Sequence, residues 1–71
     1  MDVVRLLRSE RIRRKISMNR LGVTSGVSQS MISLLERRMR APTLETLLRM
    51  ADALDVDLWR LLRQAEKTSR R

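Results

Sequence analysis

The sequence predicts an all-α fold, a compact bundle of five helices, and three observations carry that expectation. Leu, Met, Ala and Arg, all good helix formers, recur throughout, while the chain has one Trp and no Phe or Tyr. Apolar residues return at spacings of three and four, and no segment alternates cleanly as a half-buried strand would. Short polar residues that cap helices (Asp2, Ser17, Ser28, Thr43 and Asp57) stand at the head of each apolar run.

Helix 1 is expected from about Asp2 to Arg14, with Asp2 as its N-cap and Val3, Leu6 and Leu7 on one face. Ser17 caps helix 2, about Met18 to Ser25, which buries Leu21. Gly26 suits a left-handed position after it because it carries no Cβ. Ser28 caps helix 3, which runs to about Arg37 with Ile32 and Leu35 turned inward. Ala41 and Pro42 interrupt the pattern. Thr43 caps helix 4, about Leu44 to Leu54, whose expected core stripe is Leu44, Leu47, Leu48, Ala51 and Leu54. Asp57 caps helix 5, about Leu58 to Glu66, with Leu58, Leu61, Leu62 and Ala65 inward. A single helical domain is expected over residues 1–66, followed by a frayed basic tail over 67–71.

Composition narrows the function. A chain of 71 residues points to one small, marginally stable domain. It has neither Cys nor His, which removes disulfides, most zinc chemistry, cysteine nucleophiles and histidine acid–base work. The carboxylates are scattered among basic neighbours, so no enzymatic activity, metal or other cofactor is expected. The net charge of +8, most of it arginine, points to a polyanionic partner, either nucleic acid or an anionic membrane. The plain alternative is a well-solvated surface. No run approaches the ~18 consecutive apolar residues of a membrane span. The opening MDVVRLLRSERIRRK lacks the apolar stretch of a secretory signal, so a cytoplasmic location is expected.

Helices 2 and 3 together, SMNRLGVTSGVSQSMISLLE, are two short helices joined by a tight glycine-containing turn. Val27 and Ile32 anchor the second helix to the first, in the manner of a helix-turn-helix. Its other face, with Gln29, Ser30, Ser33 and Leu34, is left free. GVSQSMISLLER, followed in register by APTLETLLRMADALDVDLWRLL, resembles the Xre-type, lambda-repressor-like (Cro/CI-type) helix-turn-helix family over about residues 3–66.

That resemblance implies a five-helix DNA-binding domain whose third helix enters the major groove of duplex DNA. By position, Gln29 is the principal base reader, with Ser28, Ser30, Ser33 and Leu34 beside it. Arg37, Arg38 and Arg40 are placed against phosphates, as are the backbone amides of Ser17, Met18 and Asn19 at the start of helix 2. Arg11 and Glu36 occupy positions where similar proteins join helices 1 and 3 by an ion pair; the alternative is an exposed pair worth ~0–1 kcal/mol.

The chain also departs from the family pattern. Met18 replaces a usual Gln, Gly22 a usual Ala, Arg38 the usual Gly after helix 3, and Glu10 an apolar residue in helix 1. A left-handed Arg38 would be strained by about 1–2 kcal/mol. Glu10 implies that helix 1 rotates or that Leu6 and Ile12 substitute.

Trp59 falls outside the inward stripe of helix 5. It either marks a partner surface or folds over the rim of its own core. The resemblance places Trp59, Leu62 and Glu66 at a homodimer interface and implies an inverted-repeat operator. The expected function is a sequence-specific transcriptional regulator, a repressor rather than an activator, of prokaryotic or phage origin. A protein partner such as a toxin or another regulator is left open. Two rival functions remain: an adaptor using the same fold with helix 3 idle, and membrane-surface binding through a basic helix 1. The apolar face of helix 1 is better explained as core, so no membrane partner is expected.

Overall fold

The computed structural model describes residues 3–69. Five α-helices follow one another: α1 Val3–Arg13, α2 Met18–Ser25, α3 Gln29–Glu36, α4 Leu44–Ala53 and α5 Leu58–Ser69. The boundaries fall within a residue or two of the expected ones except at the end of α5. There the helix runs through Ser69 instead of ending near Glu66. The cap expected at Asp2 lies outside the described residues.

The starts of α2, α3, α4 and α5 are held by the side chains expected to hold them. Ser17 Oγ accepts from the Arg20 amide at 3.0 Å, Ser28 Oγ from Met31 at 3.1 Å and Thr43 Oγ1 from Thr46 at 3.1 Å. Asp57 Oδ1 accepts from the Trp59 amide at 3.0 Å. Losing such a cap costs about 1 kcal/mol.

The helix ends follow a less legible rule. α2 ends on Gly26 at φ 78°. α1, α3 and α4 are instead followed by left-handed residues with full side chains: Lys15 at φ 57°, Arg38 at 59° and Asp55 at 57°. All three turns share one hydrogen-bond pattern. The Lys15, Arg38 and Asp55 amides donate to Ile12, Leu35 and Asp52 carbonyls at 2.9–3.1 Å. The next amides, on Ile16, Met39 and Val56, donate to Arg11, Leu34 and Ala51 at 2.9–3.0 Å. This is the Schellman closure, in which an apolar residue follows the left-handed one and packs back. Ile16 and Val56 do pack against the core, whereas Met39 is exposed.

The core joins Val3, Val4 and Leu7 of α1, Leu21, Val27, Ile32 and Leu35 of the α2–α3 unit, and the inner faces of α4 and α5. α1 packs on α5 and α3, while α4 packs on α2, α1 and α5. One expectation is corrected here. Leu44 and Leu48 are not core residues: they are 57% and 42% exposed. The buried stripe of α4 is Leu47, Met50, Ala51 and Leu54. α4 is packed on three other helices, and their positions turn its i, i+3, i+4, i+7 stripe inward, leaving the i, i+4 pair Leu44 and Leu48 outside. A smaller correction concerns α1, where Val4 is buried and Leu6 only half-buried. Ile12 is exposed, so it does not substitute for Glu10.

The α2–α3 contact is closer than most side chains permit. A Cβ added at Gly22 would lie 2.9 Å from the Val27 carbonyl oxygen and 3.3 Å from the Gln29 amide nitrogen. The chain therefore uses glycine at this position to seat the first turn of α3 directly against α2.

Candidate nucleic-acid interface

α3 presents its outer face because its inner one is fully used: Ile32 and Leu35 are buried, while Ser28, Gln29 and Ser30 are exposed. Ser33 and Leu34 are half-buried. Gln29, Ser30, Ser33 and Leu34 line one shallow depression with Met18 and Arg37. Ser28 lies with Gln29, Asn19 and Gly22 along a neighbouring one. Gln29 belongs to both and so stands on the ridge between them. Its position is set from below by the backbone of α2 at Gly22, not by a partner of its side chain.

The start of α2 borders the same surface. Ser17 and Asn19 are exposed and Met18 half-buried. The first amides of a helix have no carbonyl within it to receive them, so they remain donors for an anion. Among the arginines after α3, Arg37 borders the depression directly. Arg38 and Arg40 are also exposed and line a mostly apolar groove with Met39, Pro42 and Leu44, and Arg38 also borders, with Arg37, the hollow between α1 and α3.

Two carboxylates organise the basic residues of α1. Glu36, the last residue of α3, accepts from Arg11 Nε at 2.9 Å and from Nη2 at 3.0 Å, a two-pronged contact. Arg11 Nη1 donates to the Ile16 carbonyl at 2.7 Å. The two side chains are 11% and 5% exposed, so the pair is removed from solvent. It ties the end of α3 to α1 and to the turn entering α2. Glu10 binds Arg13 at 2.6 Å and Arg14 at 3.4 Å. The hydrogen bond from Arg13, aided by its charge and that of Arg14, holds the Glu10 carboxyl below the usual carboxylate range. Arg11 is thus committed to Glu36, whereas Arg13 and Arg14 share Glu10 in solvent-exposed pairs of the kind that hold a side chain only weakly.

Sequence reasoning missed two features. Arg5 and Arg8 recur at a spacing of three with Arg11 and reach the same side of the molecule, with Arg8 Nε 3.5 Å from Glu36 Oε1. That spacing was the available signal. Leu44 and Leu48 join Trp59 as exposed apolar residues on neighbouring helices, and only the rotation of α4 reveals them. Trp59 is 70% exposed, Leu62 half-buried and Glu66 exposed.

Among the described residues no cluster of carboxylates is arranged to hold a metal ion, and no helix is long and apolar enough to cross a membrane. Neither the curated proteins nor the solved structures yield a match to the chain. A family model described as helix-turn-helix matches residues 7–58, from the first core leucine of α1 to the first residue of α5. With that match spanning both the α2–α3 unit and its supports, the chain belongs to the Xre, lambda-repressor-like helix-turn-helix family of DNA-binding transcription regulators.

Proposed function

We propose that the protein is a sequence-specific regulator that binds an inverted-repeat operator in double-stranded DNA as a homodimer and represses by occupying it. The observation that carries this reading is the outward face of α3, where Gln29, Ser30, Ser33 and Leu34 surround one open depression bordered by Arg37. Gln29 bonds adenine N6 and N7 together, the serines serve several bases, and Leu34 meets a thymine methyl. Ser28 completes this set at the entering end of the helix. Phosphates flanking the groove meet Arg37, Arg38 and Arg40 on one side and the amides of Ser17, Met18 and Asn19 on the other. The ion pair between Arg11 and Glu36 keeps the reading helix from pivoting on its support.

The dimer reading is supported by the apolar exposure of α5 and α4. Trp59, Leu62 and Glu66 recur at i, i+3 and i+7 on α5, and Leu62 lines a groove together with Leu44. Exposed Trp at such a surface is a preferred anchor of interfaces. A two-fold dimer sets two reading helices about 34–36 Å apart, one turn of DNA.

Selection of bound sequences from a random duplex library at physiological salt tests the reading. A palindromic motif is expected, and Gln29→Ala changes base preference at one position per half-site. Arg40→Ala weakens all sequences alike and lowers the salt slope by about 0.9 per half-site. A library that returns no motif rejects DNA readout and restores the adaptor. Sedimentation of Trp59→Ala tests the dimer: faster dissociation with unchanged monomer folding is expected, and an unchanged dimer rejects that interface.

A further inference from the structure

α1 and α3 leave between them a cleft walled by arginine. Arg5, Arg8 and Arg11 reach it from α1, and Arg37 and Arg38 from the end of α3. Glu36 is the one carboxylate among its described lining residues, and it is already committed, with both oxygens on Arg11. Arg8 is a second and weaker partner: its Nε is 3.5 Å from Glu36 Oε1 and its side chain is 54% exposed. A contact that long and that solvated is readily exchanged for a better anion. Arg5, one turn earlier on the same side of α1, is exposed. Several guanidinium groups around one concavity focus a positive field into it.

This cleft is not separate from the reading face. The two share Met18, Ser33 and Arg37, so one continuous surface leads from Gln29 to Arg5. On the opposite flank of α3, the depression holding Asn19, Gly22 and Ser28 has no charged residue in its lining. Arg49 is the cation near that flank, its Nη1 3.3 Å from where a Cβ on Gly26 would stand, so positive charge is concentrated on the cleft side without being confined to it.

We propose that the cleft is a phosphate-oxyanion site that extends the DNA contact past the base-reading face, with Arg5 and Arg8 gripping backbone phosphates outside each half-site. This rests on the reading of the protein as a duplex-DNA binder. A free polyphosphate presents the same oxygen chemistry, but the continuity of the cleft with the reading face favours a strand that passes over both. Arg8 then leaves Glu36 for the phosphate, while Arg11 stays and preserves the fold.

The test compares the parent protein with Arg5→Gln/Arg8→Gln on a single selected half-site, in a long duplex and in one trimmed to the readout positions. Both side chains lie outside the core, and a thermal melt checks that the variant is folded. The variant is expected to keep the parent's base preference. Its log–log salt slope falls by about 1.8, from two contacts at about 0.9 each. Between 50 and 200 mM salt the parent then loses about twelvefold more affinity than the variant, by the same relation. Trimming the flanks weakens the parent and leaves the variant unaffected.

If the parent selects a motif and the variant keeps its full slope and flank dependence, the cleft proposal is overturned while the DNA reading stands. If the parent selects no motif, the reading beneath the proposal fails. Calorimetric titration with inorganic tripolyphosphate separates the source of the phosphate. Saturable binding that the variant loses, alongside an unchanged DNA slope, assigns the cleft to a small anion and overturns the DNA proposal.

Discussion

Replacing Glu36 with alanine removes the acceptor for two of the three Arg11 hydrogen bonds and leaves a guanidinium that is 11% exposed facing only the Ile16 carbonyl. Breaking a buried pair from one side costs about 3–5 kcal/mol, because the orphaned charge stays desolvated. A chain of 71 residues has a total stability of roughly 4–11 kcal/mol at about 0.05–0.15 kcal/mol per residue. The substitution thus removes about a quarter of it or more, and at about 4 °C per kcal/mol or more the melting temperature falls by at least about 12 °C. The two partners are not equivalent. Arg11→Met leaves Glu36 with Arg8 at 3.5 Å, so it is expected to cost less than Glu36→Ala. Arg11→Met/Glu36→Leu removes both charges and is expected to recover most of the loss. The assay is urea denaturation followed by far-ultraviolet circular dichroism, at one fixed protein concentration, since the proposed dimerisation would make apparent stability depend on it. A Glu36→Ala midpoint within about 1 kcal/mol of the parent would show a pair solvated like a surface ion pair and refute the reasoning.

Three further outcomes are expected. Lys15→Gly stabilises the fold by about 1 kcal/mol, because glycine adopts φ 57° without the Cβ clash; a lower melting temperature rejects strain at that turn. Gly22→Ala destabilises despite a helix-propensity gain of about 1 kcal/mol, because its Cβ meets the Val27 carbonyl at 2.9 Å; a more stable variant shows that α3 can move away from α2 freely. On α4, Leu48→Gln stays within about 0.5–1 kcal/mol of the parent, whereas Met50→Ala costs about 2–5 kcal/mol; equal effects in urea melts reject the observed rotation of the helix.

Local chemistry made much of this protein readable. A Ser, Thr or Asp ahead of an apolar run signals a helix start because its oxygen reaches an amide two or three residues on, with no help from the rest of the fold. That is why Ser17, Ser28, Thr43 and Asp57 marked four helices correctly. The left-handed turns at Lys15 and Asp55 were not readable in the same way. Their closure depends on where Ile16 and Val56 find core to pack on, and no glycine announced them. Arg38 was expected to be strained only because a resemblance placed glycine there, and it does adopt φ 59°.

By itself, the sequence determined the all-helical class, the order and spacing of the five helices, the excess of positive charge and the neutral polar tip of α3. These follow from near-neighbour periodicity and capping, which act over a few residues. Tertiary structure alone decided which stripe of α4 faces inward, how closely α3 sits on α2 at Gly22, and that α1 and α3 bring five arginines around one cleft. Those outcomes depend on contacts between residues distant in the chain, where steric fit and shared counter-charges, not local propensity, select one arrangement.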